Sequence, residues 1–245
     1  MEVNKIIQGD ALEVLKTFPD ESVDCVITDP PYGISSEMKI TRTRNTMKFK
    51  ASTDLTGNFG TWDVFKNIED FMNFTHKWVN ECNRVLKKGG MFISYFDRDK
   101  INFLSHYLKL RGFKSKGYYA DCKSNPVPQA RKVKWMNGWE IIGMWQKEGG
   151  KLTYNYKEGQ HKDWGIRPIV GGNERWKHPT QKPLSVIKDF ILWWTKENDI
   201  ILDPFAGSGT TLVASKQLGR NYLGIELSKE YIKMAEGRLR QEMLL

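Results

Sequence analysis

The sequence predicts an α/β protein built around a largely parallel β-sheet. Seven short runs rich in β-branched, aromatic and other apolar residues alternate with six stretches of helical periodicity. This alternation is typical of strands joined by crossover helices. The 245 residues are enough to enclose a hydrophobic core, and neither a repeat nor a long linker divides them. We therefore expect one domain spanning residues 1–245.

The boundaries of each element follow from the same pattern. The predicted strands are residues 3–8, 22–28, 90–96, 115–122, 140–146, 199–202 and 220–225, and the predicted helices are residues 11–16, 67–86, 100–111, 184–196, 210–218 and 229–240. Gly89, Gly90 and Gly112 lie just past predicted helix ends, where left-handed caps are expected. Three polar, basic stretches fit neither pattern: residues 34–61, 123–138 and 147–177. We expect them to be inserted loops on the functional face of the sheet.

Composition limits the classes of partner. Lys and Arg outnumber Asp and Glu by 38 to 29, a formal charge of +9. Such a surplus favours a polyanionic partner, although a merely soluble basic protein fits it equally well. The three cysteines lack metal-ligand spacing, which predicts a reduced, cytoplasmic protein without zinc or disulfides. No stretch approaches the length of about 20 apolar residues that a membrane span needs, and no signal peptide is evident.

A glycine-rich turn occupies residues 203–211, with the sequence Asp-Pro-Phe-Ala-Gly-Ser-Gly-Thr-Thr. It follows a predicted strand and leads into a helix that begins at Thr210, whose free N–H groups favour an anionic group. Glu226 ends the next predicted strand, at the position where an acid accepts hydrogen bonds from ribose hydroxyls. A tight loop alone would explain the glycines. The combination favours an adenosine-containing cofactor, and the absence of dinucleotide and P-loop patterns argues against NAD and ATP.

The tetrapeptide Asp29-Pro30-Pro31-Tyr32 ends another predicted strand. Because prolines stiffen the backbone, the Asp29 carboxylate and the Pro30 carbonyl can point the same way as a pair of acceptors for an –NH2 group. Tyr32 offers a flat face on which a base can stack. A proline-stiffened turn with a capping Asp is the simpler explanation for Asp-Pro by itself. The full tetrapeptide at a strand end is more specific.

These two segments, together with His-Pro-Thr-Gln-Lys-Pro at residues 178–183, resemble the amino-methyltransferases that act on DNA. The catalytic segment precedes the cofactor segment, which resembles the β group of that family. The resemblance covers residues 3–240, apart from the three loops. It implies a doubly wound, mostly parallel, seven-stranded Rossmann-like methyltransferase sheet in circularly permuted order. It also implies S-adenosylmethionine as the cofactor and no metal.

The resemblance assigns roles to individual positions. Asp10 matches an acid that binds the adenine amino group of the cofactor, although it equally suits an ordinary helix N-cap. His178 alone would more often be a surface histidine. The residue types at Phe59–Asp63 also resemble a short family segment whose role is unclear to us. The implied cofactor-binding set is Asp10, Ala11, Asp29, His178, Thr180, Lys182, Asp203, Phe205, Ala206, Gly207, Ser208, Gly209, Thr210 and Glu226.

The implied reaction is direct methyl transfer to N6 of adenine in a flipped-out base, with Asp29, Pro30 and Tyr32 as catalytic residues. N4 of cytosine presents the same amine geometry, but the family pattern for cytosine more often has Ser in place of Asp29. Methylation at C5 of cytosine needs a Cys, usually after Pro, and no cysteine here follows one. RNA or protein-glutamine methylation fits less well, since those relatives usually carry Asn at that position. A catalytically silent DNA-binding module would not need the intact motifs.

DNA is the expected macromolecular partner. Basic residues mixed with aromatics in loops suit phosphate contacts and base stacking, although each one alone is better explained as a solvated side chain. The predicted DNA-contact set is Pro31, Tyr32, Lys39, Arg42, Arg44, Lys48, Arg131, Lys132, Lys134 and Trp135. The resemblance also suggests a homodimer, a cognate restriction enzyme and a prokaryotic or phage source.

Overall fold

The computed structural model describes residues 1–33, 65–128, 135–176, 178 and 180–241. The strands are β1 (Lys5–Gln8), β2 (Val23–Thr28), β3 (Leu86–Phe96), β4 (Phe113–Lys123), β5 (Trp139–Lys147), β6 (Trp164–Arg167), β7 (Ile200–Asp203) and β8 (Asn221–Glu226). The α-helices are α1 (Ala11–Leu15), α2 (Ile68–Val85), α3 (Ile101–Leu110), α4 (Leu184–Trp194), α5 (Thr210–Gln217) and α6 (Lys229–Gln241). Short 3-10 helices span Tyr156–Glu158 and Gly172–Glu174.

All the strands belong to one sheet, in the order β1-β8-β7-β2-β3-β5-β4-β6. The pairs from β1 across to β3 are parallel, and only β5 runs antiparallel to its two neighbours. This confirms the predicted α/β class with a mostly parallel sheet. The seven predicted strands are all present, and β6 is an eighth. It lies inside the stretch 147–177 that was expected to be loop, because Trp164–Arg167 is half exposed and lacks the continuous apolar run that marks β7.

The direction of the chain reverses between β7 and β2. The connection from β7 through α5 leads to β8 on one side, whereas the connection from β2 through α2 leads to β3 on the other. Since parallel crossovers are right-handed, the two connecting helices lie on opposite faces of the sheet. The carboxyl ends of β7 and β2 therefore border a topological switch point, which is where ligands of open α/β sheets bind.

The central strands are fully buried. Val26 of β2, Phe92 of β3 and Leu202 of β7 have no exposed surface. Strands covered on both faces become continuous apolar runs rather than alternating ones, which is why residues 22–28 and 199–202 could be recognised in the sequence. Helix α4 covers the sheet with an apolar face that includes Phe190 and Ile191.

Two compact units can be distinguished by their internal contacts. One comprises Met1–Pro30 and Thr75–Leu245, and the other comprises Pro31–Phe74. Within the second unit, Phe65 packs against Phe71 and Phe74, with both ring centroids at 5.4 Å. No helix in the described ranges is long and apolar enough to cross a membrane. Among the same residues, no cluster of His, Cys, Asp or Glu could hold a metal ion.

Candidate active site

Four acidic residues lie at the carboxyl ends of four adjacent parallel strands. Asp10 follows β1, Glu226 ends β8, Asp203 ends β7 and Asp29 follows β2. The order follows from the register, since Gln8 pairs with Glu226 and Asp203 pairs with Gly224. Sequence reasoning selected all four, and the sheet brings them to one edge beside the switch point.

Asp203 is buried at the centre of this edge, with 4% of its surface exposed. Its Oδ1 accepts hydrogen bonds from Thr28 Oγ1 at 2.9 Å and from the Phe205 N–H at 3.1 Å. Burial raises the pKa of Asp203 to about 7, and the neighbouring charge of Asp29 adds to the rise, while the hydrogen bonds oppose it. The carboxyl group therefore titrates close to neutral pH. Its hydrogen bonds also connect the end of β2 to the start of the glycine turn.

The glycine turn leaves no room for side chains at its two glycines. Gly207 and Gly209 have φ angles of +49° and +77°, in the left-handed region that favours glycine. A Cβ on Gly207 would lie 3.0 Å from His178 Nε2, and one on Gly209 would lie 2.7 Å from Ala235 Cβ. The turn is consequently packed between the segment before α4 and helix α6. This close approach is the structural reason for the two glycines.

Glu226 closes the turn from the neighbouring strand. Its Oε2 accepts the Gly207 N–H at 2.8 Å, and its Oε1 accepts the Ser228 N–H at 2.7 Å. Burial raises the pKa of Glu226, although the backbone hydrogen bonds oppose the rise. At the edge of the sheet, Asp10 caps α1 by accepting the Leu12 N–H at 2.8 Å. The N-cap explanation of Asp10 is thus confirmed, and its cofactor contact stays a prediction.

Lys182 lies between two carboxylates. Its Nζ is 3.0 Å from Asp29 Oδ2 and 2.7 Å from Glu140 Oε2. Burial alone would lower the pKa of Lys182, but the two carboxylates outweigh burial and raise it. Conversely, burial would raise the pKa of Glu140, but the cations Lys182 and Lys123 lower it to about 2. Lys182 forms an ion pair with the predicted catalytic carboxylate, and its expected contact with the cofactor stays a prediction.

His178 is buried and packs against Tyr231 of α6, with ring centroids 4.4 Å apart. Burial, followed by the nearby cation of Lys182, lowers the pKa of His178 to about 4, so the imidazole is neutral at pH 7. Its Nδ1 accepts the Thr180 N–H at 3.3 Å. The explanation of His178 as a surface histidine is therefore wrong, because the ring is one wall of the glycine turn.

Comparison with known proteins shows the family. A family model described as DNA methylase, of the N6/N4 type, matches residues 23–237. The chain belongs to the N6/N4 DNA methylase family. It is 34% identical to the type II methyltransferase M.HinfI of Haemophilus influenzae, covering 98% of this chain and 69% of the relative. It is 33% identical to the type II methyltransferase M2.MboI of Moraxella bovis, covering 95% and 86%.

Solved structures of similar fold include a complex of M1.HpyAVI with SAM. That likeness has a TM-score of 0.73 at 26% identity and covers 96% of this DNA methylase and 98% of the other chain. The PvuII DNA methyltransferase, described as cytosine-N4-specific, has a TM-score of 0.75 at 17% identity and covers 97% and 86%. The second likeness concerns the fold alone. In this DNA methylase β2, which leads into the predicted catalytic segment, precedes β7, which leads into the glycine turn. This is the permuted order that the resemblance implied.

Two site residues of the methylase were not selected from the sequence. Glu140 is the second residue of the antiparallel strand β5, so it lies at the same edge as the carboxyl ends of the parallel strands. Arg238 of α6 is buried, and its Nη1 donates to the Ser208 carbonyl at 2.8 Å and to Thr210 Oγ1 at 2.9 Å. A signal for Arg238 did exist, since it lies three residues after Ala235 on the helix face that packs inward.

The predicted DNA-contact residues are only partly described. Lys39, Arg42, Arg44, Lys48, Arg131, Lys132 and Lys134 lie outside the described residues, as does the segment 59–63. Pro31 and Tyr32 begin the second compact unit. Trp135 is 96% exposed. Lys162 lies over the Trp164 ring, 4.8 Å from its centroid. Arg167, one of the basic residues of the stretch 147–177, is engaged internally with Asp189 and with Tyr119.

Proposed function

We propose that this DNA methylase transfers a methyl group from S-adenosylmethionine to N6 of adenine in a flipped-out base. The strongest support is that the predicted amine-binding residues and the predicted cofactor-binding turn lie at the same switch point. The acceptor pair Asp29 and Pro30 follows β2, and Thr28 of β2 is hydrogen-bonded to Asp203 at the start of the glycine turn. An amine acceptor and an adenosine-type turn therefore share the carboxyl edge of two paired strands.

The chemistry of this edge suits the proposed cofactor. S-adenosylmethionine carries a sulfonium and an ammonium group besides its ribose hydroxyls. The buried carboxyl of Asp203 and the half-buried carboxyl of Glu226 are matching acceptors and counter-charges. Gly207 and Gly209 supply the left-handed backbone that shapes the turn. Asp203, Glu226, Asp10 and the glycine turn would hold the cofactor, which when bound supplies an electrophilic methyl group. M1.HpyAVI, described in complex with SAM, supports this choice.

Asp29 and Pro30 would act on the amine of the target base. An exocyclic amine is a weak nucleophile because its lone pair is delocalised into the ring. Two acceptors aimed at its N–H groups favour a geometry that exposes the lone pair, so that catalysis consists of positioning and electrostatics. Lys182 beside Asp29 keeps that carboxylate charged, in the form that only accepts. An Asp rather than Ser at position 29 favours adenine over cytosine.

The base has to leave the duplex to reach such a site, and we propose Tyr32 as the surface on which it stacks. The loops at 34–61, 123–138 and 147–177 would contact DNA within a single methyltransferase domain. The exposed Trp135 and the Lys162–Trp164 pair are consistent with stacking and phosphate contacts. Because M.HinfI and M2.MboI are named type II methyltransferases, we propose a modification role beside a cognate restriction enzyme.

The test is to incubate the protein with labelled S-adenosylmethionine and unmethylated genomic DNA, and to identify methylated nucleosides by mass spectrometry. Asp29→Asn is compared with Asp24→Asn, which alters an acid at the opposite end of the same strand. In Asp29→Asn, Lys182 keeps Glu140 as its partner, so the fold should survive. We expect N6-methyladenine from the wild type and from Asp24→Asn, and a loss of product in Asp29→Asn.

Each alternative product has its own meaning. N4-methylcytosine would retain the mechanism and refute the choice of base. The absence of any methylated nucleoside, with S-adenosylmethionine bound normally, would refute methyl transfer to DNA and favour a silent DNA-binding module. Equal loss of activity in Asp24→Asn and Asp29→Asn would show that the effect is structural.

A further inference from the structure

A chain of four alternating charges leads away from the catalytic edge. Asp29 pairs with Lys182 at 3.0 Å, Lys182 with Glu140 at 2.7 Å, and Glu140 with Lys123 at 2.6 Å. The side chains are 24%, 12%, 24% and 21% exposed in the same order, so the chain is largely shielded from water. Ion pairs in such surroundings are screened much less than those on the surface.

The ammonium group of Lys182 is held on several sides. The Tyr95 ring of β3 lies 4.7 Å from it, and Tyr95 itself is 2% exposed. Other charged or titratable groups around these four residues include Asp121 of β4, Arg167 of β6, His178, and Asp203 of β7. The cation–π contact with Tyr95 and the ion pair with Glu140 restrict the Lys182 ammonium to a position beside Asp29.

We propose that Lys182, held in place by Glu140, is a positioning residue that orients the Asp29 carboxylate and keeps it charged for the amine of the base. The inference rests on the proposed function, because it assigns a role relative to the catalytic Asp29. Lys182 binds Oδ2 of that carboxylate and so fixes the rotation of its plane.

Glu140 has a second effect, on how strongly Lys182 neutralises Asp29. The ammonium lies nearer to Glu140 than to Asp29, 2.7 Å against 3.0 Å. The charge of Glu140 partly offsets the field of Lys182 at Asp29, which leaves the Asp29 carboxylate a stronger acceptor for N–H groups than in an isolated ion pair. Lys123 balances the additional carboxylate. The four residues form a neutral unit in which one carboxylate is presented to the substrate.

Removing the cation and removing the outer carboxylate should have opposite effects. Without Lys182, Asp29 loses the cation that pairs with its Oδ2 and still lies near Glu140 and Asp203, so it should protonate at higher pH. Without the charge of Glu140, Lys182 pairs with Asp29 alone, which should then protonate at lower pH. The direct measurement is the 13Cγ NMR titration of aspartate-labelled, unliganded protein, with the Asp29 signal assigned by Asp29→Asn.

Four variants are compared with the wild type: Lys182→Met, Lys182→Arg, Glu140→Gln and Lys147→Met. Lys147 is the matched control, since its side chain is 15% exposed and donates to the Asn83 and Leu86 carbonyls. We expect Lys182→Met to lower kcat about 100-fold, as misplacement of a reacting group does. Its Kd for S-adenosylmethionine, measured by calorimetry, should change less than about threefold. Lys182→Arg should recover most of kcat, and Lys147→Met should leave kcat and the Asp29 titration unchanged.

Several results would overturn the inference. A large rise in the Kd of Lys182→Met, with the Asp29 titration unmoved, would assign Lys182 to the cofactor site. Titration shifts of the same sign in Lys182→Met and Glu140→Gln would refute the electrostatic account. If Lys182→Met does not fold, Glu140→Gln and Lys182→Arg still provide the test. A wild type that methylates no DNA would refute the proposed function separately, because the NMR titration needs no activity.

Discussion

Replacing the buried Arg238 with methionine tests how the glycine turn is supported. Its Nη1 donates to the Ser208 carbonyl at 2.8 Å, to Ser208 Oγ at 3.1 Å and to Thr210 Oγ1 at 2.9 Å. A hydrogen bond from a charged group contributes about 1.5–3 kcal/mol, and a buried acceptor left unsatisfied costs about 1–3 kcal/mol. Because a single Nη1 serves all three acceptors, the loss is counted once. We expect Arg238→Met to lower the free energy of unfolding by about 3 kcal/mol.

The assay is urea and thermal unfolding, followed by calorimetric titration with S-adenosylmethionine. For a chain of this size, 3 kcal/mol corresponds to a fall in Tm of about 6–12 °C. The matched control is Arg240→Met on the same helix, since Arg240 is 71% exposed and pairs with Glu236 only at 3.9 Å. Its effect should stay within about 0.5 kcal/mol. Equal stabilities of the two variants, with equal affinities for the cofactor, would refute the role of Arg238.

Three further substitutions probe buried groups and the turn. Burial raises the pKa of Asp203 from 3.8 to about 7, so the wild type loses stability as the pH rises between those values. The free energy of unfolding of Asp203→Asn, measured with urea, should therefore rise by about 3 kcal/mol relative to that of the wild type between pH 5 and pH 8. A difference between the two proteins that does not change with pH would contradict this. Burial and neighbouring cations lower the pKa of His178 from 6.5 to about 4, so stability is lost as the pH falls through that window. His178→Gln should remove this loss, and melting curves parallel to those of the wild type would show that the imidazole does not cause it. Either glycine replaced by alanine carries a backbone strain of about 1–2 kcal/mol, because both have left-handed φ angles. Gly209→Ala also brings its methyl group into a clash with Ala235, whereas the methyl group of Gly219→Ala, at a φ of +70°, enters open space. Gly209→Ala should be the less stable in thermal unfolding and weaker in cofactor binding, and equal effects would mean that the packing is not tight.

The sequence predicted features whose signals are local. Residues 22–28 and 199–202 are apolar runs that end in an acid-proline step, and both are central strands that end at the switch point. Glu226 could be selected in the same way, because it ends a predicted strand and follows the glycine turn at the expected separation in sequence. Helix boundaries matched to within two residues, because α2 and α4 have clear apolar faces.

The remaining features depend on contacts between distant parts of the chain. Glu140 lies at the site only because β5 runs antiparallel to β3. The residues of a strand do not indicate in which direction it will pair. Lys182 meets Asp29 and Glu140 through tertiary packing, so its position in a segment assigned to the cofactor could not reveal the ion pairs. Gly89 has the left-handed φ expected of a helix cap, but lies within β3 because the helix ends directly at the strand.

The pairing of β1 with β8 has a consequence for biosynthesis. Asn4 accepts a hydrogen bond from the N–H of Tyr222, 218 residues later, and β1 has β8 as its neighbour in the sheet. Pairings so distant in sequence form slowly, because a long loop has to close first. During translation, β1 is therefore synthesised long before its partner β8. Asp10 and Glu226 follow these two strands, so a nascent chain that stops before residue 221 cannot bring the two acids together.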